Sequence, residues 1–168
     1  MKRVWRWIAI PAVSLLACSS PRKNIGPAAV IPRPASLVQH DGSYTVGQRL
    51  VIGGDESVTG IGKVLNYTES RLEKSMSISV DGKIGADPQG DIVFRSAARD
   101  TGLGDEGYIL NISEDSIIIE AAAAAGHFYG VQTLFQLMGS HVYGNTAVPY
   151  GRESWEIPSV TVMDRPRF

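Results

Sequence analysis

The 168-residue chain has one cysteine, at position 18. A single thiol closes no disulfide within the chain and cannot by itself build a thiolate metal site. Whatever the chain folds into must therefore be held by an ordinary apolar core.

The residues before Cys18 take part of the chain out of that core. Lys2, Arg3 and Arg6 form a basic start, and Trp7 to Leu16 is an apolar stretch broken by Pro11 and Ser14. Ala17 then places a small residue before the cysteine. That order belongs to a secretory signal peptide. The apolar run is well short of the roughly 20 residues that cross a bilayer as a helix. Leu15-Leu16-Ala17-Cys18 resembles the bacterial lipobox, in which the cysteine is acylated and cleavage falls before it; the alternative is an ordinary signal peptide that happens to contain a cysteine. The expectation is a signal peptide over residues 1–17, lipid on Cys18, and a protein exported and anchored to a membrane of the cell envelope.

Cleavage there removes three of the 16 basic residues and none of the 17 acidic ones, leaving 13 against 17 and a net charge of −4. No basic patch remains to meet nucleic acid. Residues 18–30 are small, polar and rich in Pro and Gly, which suits a lipidated N-terminus and tether. Residues 31–168 are enough for one domain and short for two.

Within that stretch the hydrophobic period changes several times. Ser43–Val46 and Leu50–Ile52 alternate as strands, and Gly47-Gln48 between them suits a two-residue hairpin turn. Val58, Ile61, Val64, Leu65, Leu72 and Met76 recur at helical spacing, a helix of roughly five turns. Gly60 and Gly62 weaken its first turn if they lie inside it. Ser77–Val80 and Asp91–Arg95 follow as strands, with turn signals at Asp81-Gly82 and Asp87-Pro88. Tyr108–Ile112 and Ile117–Ala121 make a hairpin across Ser113–Ser116. A second helix runs from about Ala124 to Met138, with Phe128, Val131, Leu134, Phe135 and Met138 as its apolar stripe and Gly139 as its stop. Trp155–Val162 is a last strand. The pattern predicts a single small α+β domain, a mainly antiparallel sheet with two helices packed on one face.

Chemistry-bearing residues are sparse. Gly102-Leu-Gly104-Asp-Glu-Gly107 spells a dinucleotide-type glycine motif, but a strand follows it where phosphate binding needs a helix. The carboxylate pairs Asp55-Glu56 and Asp105-Glu106 lie in polar, glycine-flanked loops where solvation is the default. His40, His127 and His141 are far apart and match no metal spacing; His127 falls one residue before the helical stripe and reads as a half-buried packing residue. No residue is assigned to catalysis, substrate or metal, and no cofactor is implied.

Specific likeness appears in two places. One is Ile31-Pro-Arg-Pro-Ala-Ser-Leu. The other combines Asp105-Glu-Gly-Tyr-Ile-Leu-Asn-Ile, Ile117-Ile-Ile-Glu-Ala, Ala125-Gly-His-Phe-Tyr-Gly-Val-Gln-Thr-Leu-Phe-Gln-Leu and the closing run Trp155 to Asp164-Arg-Pro-Arg-Phe168. In that order they resemble the N-terminal, non-catalytic domain of β-N-acetylhexosaminidases of glycoside hydrolase family 20. Apart from the resemblance, Gly126 and Gly130 share a helix face where a missing side chain allows close approach to the sheet, and Thr133 and Gln136 could satisfy backbone groups there or at a neighbouring domain.

The resemblance implies a catalytic (β/α)₈ barrel beginning just after the Pro-Arg-Phe motif, carrying the sugar-binding arginine and an Asp-Glu dyad. It implies retaining hydrolysis of terminal β-linked GlcNAc or GalNAc in glycans. On this view the 168-residue chain is truncated before the barrel, supports that barrel as its partner and is inactive alone. The alternative is a free-standing lipoprotein that serves as a binding or scaffold module of the envelope.

Overall fold

The computed structural model describes residues 26–98, 102–144, 146–147 and 155–166. Cys18, the export segment and much of the expected tether lie outside the described residues. The elements are β1 (Ser36–Thr45), β2 (Arg49–Asp55), α1 (Ile61–Met76), β3 (Ser79–Gly85), β4 (Ile92–Ser96), β5 (Tyr108–Ile112), β6 (Ile117–Ala121), α2 (Ala124–Met138) and β7 (Glu156–Asp164), with a 3₁₀ turn at Ser140–Tyr143.

The strongest sequence patterns become the structure they describe. On β5 and β6, Tyr108, Leu110, Ile112, Ile117, Ile119 and Ala121 all point inward, and the main-chain N–H groups of Asp115 and Ser116 donate to the Ser113 hydroxyl in the turn between. Along α1, Ile61, Val64, Leu65, Leu72 and Met76 are buried. Gly60 stands just outside this helix with φ +87°, so only Gly62 is helix-interior. Both helices lie on one face of the sheet, α1 over β2 and β3 and α2 over β5 and β6.

The seven strands form one sheet in the order β1-β7-β5-β6-β4-β2-β3. This is the single small α+β domain the pattern predicts, but the sheet is evenly mixed. The β1-β7-β5-β6 half is antiparallel, whereas β6-β4-β2-β3 is parallel. The expected hairpin across Gly47-Gln48 does not form. Tyr44 of β1 pairs with Ile157 of β7, the Val46 N–H donates to Trp155 O at 2.9 Å, and β2 moves into the parallel half instead. Burial explains the choice: Ile52, Gly53 and Gly54 are buried in succession, as are Ile92, Val93 and Phe94 on β4. A strand covered on both faces favours a central parallel position over a two-stranded ribbon. Asp81-Gly82 likewise continues β3 rather than turning, because each residue pairs in register with β2.

One connection is unusually short. Parallel strands need a crossover of roughly a dozen residues or more, usually a helix, and α1 provides that between β2 and β3. Residues 86–91 carry β3 to β4 without one, crossing the face opposite the helices. Glycine makes room for the crossing. A Cβ on Gly53 would lie 2.6 Å from Gln89 O, and one on Gly90 2.5 Å from Val51 O. The adjacent Gly54 serves the other face, where a Cβ would stand 2.8 Å from Leu65 Cδ1 of α1.

Helix α2 comes equally close. The space for a Cβ on Gly126 is taken by Gly107 O and by Ala121 Cβ at 2.8 Å; on Gly130 it is taken by Ile119 Cγ2 at 2.6 Å. The expected close approach of these two glycines is thus present. The expected stripe is present at Val131, Leu134, Phe135 and Met138, all buried, but not at Phe128, which is 38% exposed; His127 beside it, expected to be half-buried, is fully buried. The Phe94 ring meets the imidazole edge-on with centroids 5.7 Å apart. Its Nε2 lies 3.0 Å from Arg95 O and its Nδ1 3.1 Å from Ala123 O. Neutral imidazole has one N–H and donates to one of these carbonyls.

Two outcomes follow. Gly126→Ala costs about 1–3 kcal/mol through overpacking against main chain, whereas Gly62→Ala, whose Cβ meets only Ile84 Cδ1 at 3.5 Å, adds about 0.5–1 kcal/mol; urea unfolding of the two variants gives opposite signs. Burial above all pulls the His127 pKa below 6.5, while the Arg95 and Ala123 carbonyls and Asp55 oppose it less strongly. Below pH 6.5 the unfolded chain therefore binds more protons at this site than the fold does. Stability is full above that pH and declines as pH falls, so the urea midpoint drops between pH 7.5 and about 5, and drops less in His127→Asn.

Candidate docking surface

The carboxylates and imidazoles singled out in the sequence do not converge. Asp55 ends β2 and accepts the Ser57 N–H at 2.9 Å and the Ser96 N–H at 3.2 Å. Ser57, through its side chain and its amide, holds the Asp55 carboxyl below its ordinary range, with Ser96 adding less. Asp55 thus closes a turn and ties β2 to β4, while Glu56 is exposed. His40 meets the Thr161 hydroxyl at 3.0 Å on the other half of the sheet. The His141 ring packs against Trp155 with centroids 4.3 Å apart. Among the described residues no three His, Cys, Asp or Glu side chains are placed to hold a metal ion.

The glycine motif has a structural use. Gly102 and Gly104 take φ +69° and +66°, Leu103 is buried between them, and Asp105 O accepts the Gly126 N–H at 3.0 Å. The turn therefore seats the first turn of α2 through main chain, leaving the Asp105 and Glu106 side chains exposed.

What the molecule does present is the outward side of α2. Ala124–Met138 contains no charged residue. Its core side is Gly126, His127, Gly130, Val131, Leu134, Phe135 and Met138, with Thr133 sharing a 2.5 Å hydrogen bond with the Tyr108 hydroxyl. That phenol's pKa is raised above 10.0, chiefly by burial. Its outward side carries Phe128, Tyr129, Gln132 and Gln136. Phe128 packs on Tyr67 of α1 with centroids 5.2 Å apart and on Tyr129 at 6.1 Å. Tyr143 of the 3₁₀ turn meets Phe135 edge-on at 6.4 Å. Amides stitch these rings together: Gln132 Nε2 donates to the Tyr67 hydroxyl and the Tyr143 hydroxyl donates to Gln132 O. Tyr129 and Tyr143 remain 44% and 45% exposed.

Beside this aromatic face lies a cleft of about 310 Å³. Val30, Ile31 and Pro32 form one wall, Tyr129, Gln132 and Gln136 of α2 a second, and Asp164, Arg165 and Pro166 a third, with Glu106 at the rim. Gln136 does satisfy a backbone group, but in the entering segment rather than at the helix–sheet contact: its Oε1 accepts the Ile31 N–H at 2.8 Å, while Thr133 pairs with the Tyr108 side chain. Residues 26–30, grouped with the tether on composition, lie on the domain: the Ala28 N–H donates to Gln39 Oε1 and Val30 is buried. Placing Phe128 in the core stripe obscured this surface. The signal that could have exposed it was the complete lack of charge over the helix.

Comparison with known proteins gives a consistent family. The family model described as glycosyl hydrolase family 20, domain 2, matches residues 28–165. A β-hexosaminidase of Porphyromonas gingivalis is 29% identical over 163 residues, covering 93% of this chain and 20% of that protein. A β-N-acetylhexosaminidase of Cellulomonas fimi is 30% identical over 143 residues, covering 83% of this chain and 26% of that protein. The chain thus spans about a quarter or less of the length of these relatives. Among solved structures, the N-acetyl-β-hexosaminidase of Streptomyces plicatus, bound to thio-NAglucal, superposes with a TM-score of 0.72 at 31% identity, covering 83% of this chain and 26% of that one. With its fold and nearly its whole described length matched, the chain belongs to glycoside hydrolase family 20 and corresponds to domain 2, the non-catalytic N-terminal domain of β-hexosaminidases.

Proposed function

We propose that this chain is the supporting domain of an exported β-N-acetylhexosaminidase, and that the outward face of α2 seats the catalytic barrel. The uncharged surface of α2 carries this reading. A helix at the surface of a finished protein normally shows charge on its outer side, whereas one apolar or uncharged all round is built to be covered. α1 is the contrast, with Lys63, Glu69, Arg71, Glu73 and Lys74 along its length. Exposed rings in a group, stitched by amides and flanked by a cleft, are the composition of a contact surface.

The chemistry on this proposal belongs to the barrel. Family 20 hydrolysis proceeds with retention: the 2-acetamido oxygen of the substrate attacks the anomeric carbon, an aspartate orients that group and a glutamate protonates the departing oxygen. In this domain Asp55 holds backbone, and Glu106 is an exposed residue of the cleft lining. The proposed substrates of the complete enzyme are glycans ending in β-linked GlcNAc or GalNAc. Lipid on Cys18 holds it at the cell envelope.

Three measurements test this. The chain by itself gives no turnover of p-nitrophenyl β-GlcNAc, and genuine turnover overturns the supporting role. Joined ahead of a family 20 barrel that lacks its own N-terminal domain, the chain yields soluble, active enzyme; Tyr129→Asp lowers that yield roughly tenfold or more, while the domain alone stays within about 0.5 kcal/mol of its parent stability. An equally soluble and active Tyr129→Asp fusion removes the proposed seat. For the anchor, Cys18→Ala abolishes incorporation of radiolabelled palmitate and membrane retention, and an unchanged membrane fraction rejects lipidation.

A further inference from the structure

The chain enters the domain at the proposed seat, and its mode of attachment there is unlike that of any strand. Ladder pairing begins at Ser36. Before that point the main chain is held by side chains from three separate elements. Gln39 of β1 accepts the Ala28 N–H at 2.9 Å and donates to Gly26 O at 3.4 Å. Gln136 of α2 accepts the Ile31 N–H at 2.8 Å. Asp164 of β7 accepts the Ala35 N–H at 3.0 Å. Val30 is 9% exposed between these points, and Ile31 next to it is 81% exposed.

We propose that residues 26–35 form a strap that attaches and detaches as one unit, and that its attachment completes the docking cleft. Val30, Ile31 and Pro32 are one wall of that cleft. With the strap released, the cleft loses that wall and becomes an open step beside α2. An occupant that touches both the strap and α2 binds the attached form better, so occupancy and attachment reinforce each other. This deepens the docking proposal and rests on it for the identity of the occupant.

The strap is also where the proposed anchor would act. Cys18 precedes Gly26 by few residues, a distance of at most about 28 Å when extended. Tension from a lipidated Cys18 would reach Gly26 and the Gln39 contacts first, then Ile31. Side-chain hydrogen bonds at exposed positions are individually weak, the Asp164 carboxylate contact less so than the three to Gln39 and Gln136, so Val30 burial and the linked contacts must hold the strap together. The seat and the membrane tether are thereby coupled through one segment.

Residue-resolved amide exchange on the full chain tests the unit. Gln136→Leu removes the acceptor for Ile31 alone, yet exchange rises about fivefold at both Ile31 and Ala28, while Leu110 in the central sheet keeps its parent rate. Gln39→Leu, acting at the other end, gives the same paired rise and decides the matter if Gln136→Leu also speeds exchange at Leu110. Acceleration at only the residue that lost its partner, or at neither residue, overturns the strap. The measurement needs no barrel. Its failure leaves the docking surface standing, and failure of the barrel fusion leaves the strap standing.

Discussion

The structure depends on how close α2 comes to the sheet. Gly126 and Gly130 leave no side chain in the contact, so the helix backbone rests on Gly107, Ala121 and Ile119. That distance is what lets the Tyr108 hydroxyl reach Thr133 and lets the imidazole of His127 reach Arg95 O on β4. A helix standing one methyl further out would break both contacts, and a buried polar group that loses its partner costs about 1–3 kcal/mol.

Two different solutions join the halves of the sheet. On the antiparallel side, β5, β6 and β7 pair through turns and long-range return. On the parallel side, α1 gives the crossover between β2 and β3, and a short loop passing over Gly53 gives the one between β3 and β4. Asp91 stands where the halves meet. It accepts from the Tyr44 hydroxyl at 3.1 Å and from the Val51 N–H at 2.8 Å, linking β1 of one half to β2 of the other. Burial and the nearby Asp91 carboxylate together push the Tyr44 phenol well above its ordinary range. It therefore stays neutral as a donor.

Much of the fold was legible from local pattern. α1, α2, β5 and β6 follow the expected spacing because period and burial agree there. The glycines Gly126 and Gly130 were readable as a close approach because they share one helix face. Other features resisted. The Gly47-Gln48 hairpin failed because local turn chemistry says nothing about which strand is free to pair, and Asp81-Gly82 stayed extended because ladder pairing outweighs turn preference. At the start of α2 the core takes His127 and leaves Phe128 partly exposed against Tyr67, because which of two large neighbours is covered depends on the strands and the helix packed there. Of the candidate surface, Gln136 was legible as a polar contact, but the grouping of Tyr67, Phe128, Tyr129 and Tyr143 was not, since it needs two helices and a 3₁₀ turn brought together.

The sequence by itself determined the family, through ordered motifs from Ile31 to Phe168, and the class of fold, through periods that only strands and helices satisfy. It also determined that α2 carries no charge, since that is a property of the residues alone. Only the tertiary structure decided that Phe128 joins the outward group with Tyr67, that half of the sheet runs parallel, and that Val30, Ile31 and Pro32 line the cleft. These depend on distances between segments far apart in the chain, and nothing in a local pattern encodes such a distance until the core has closed.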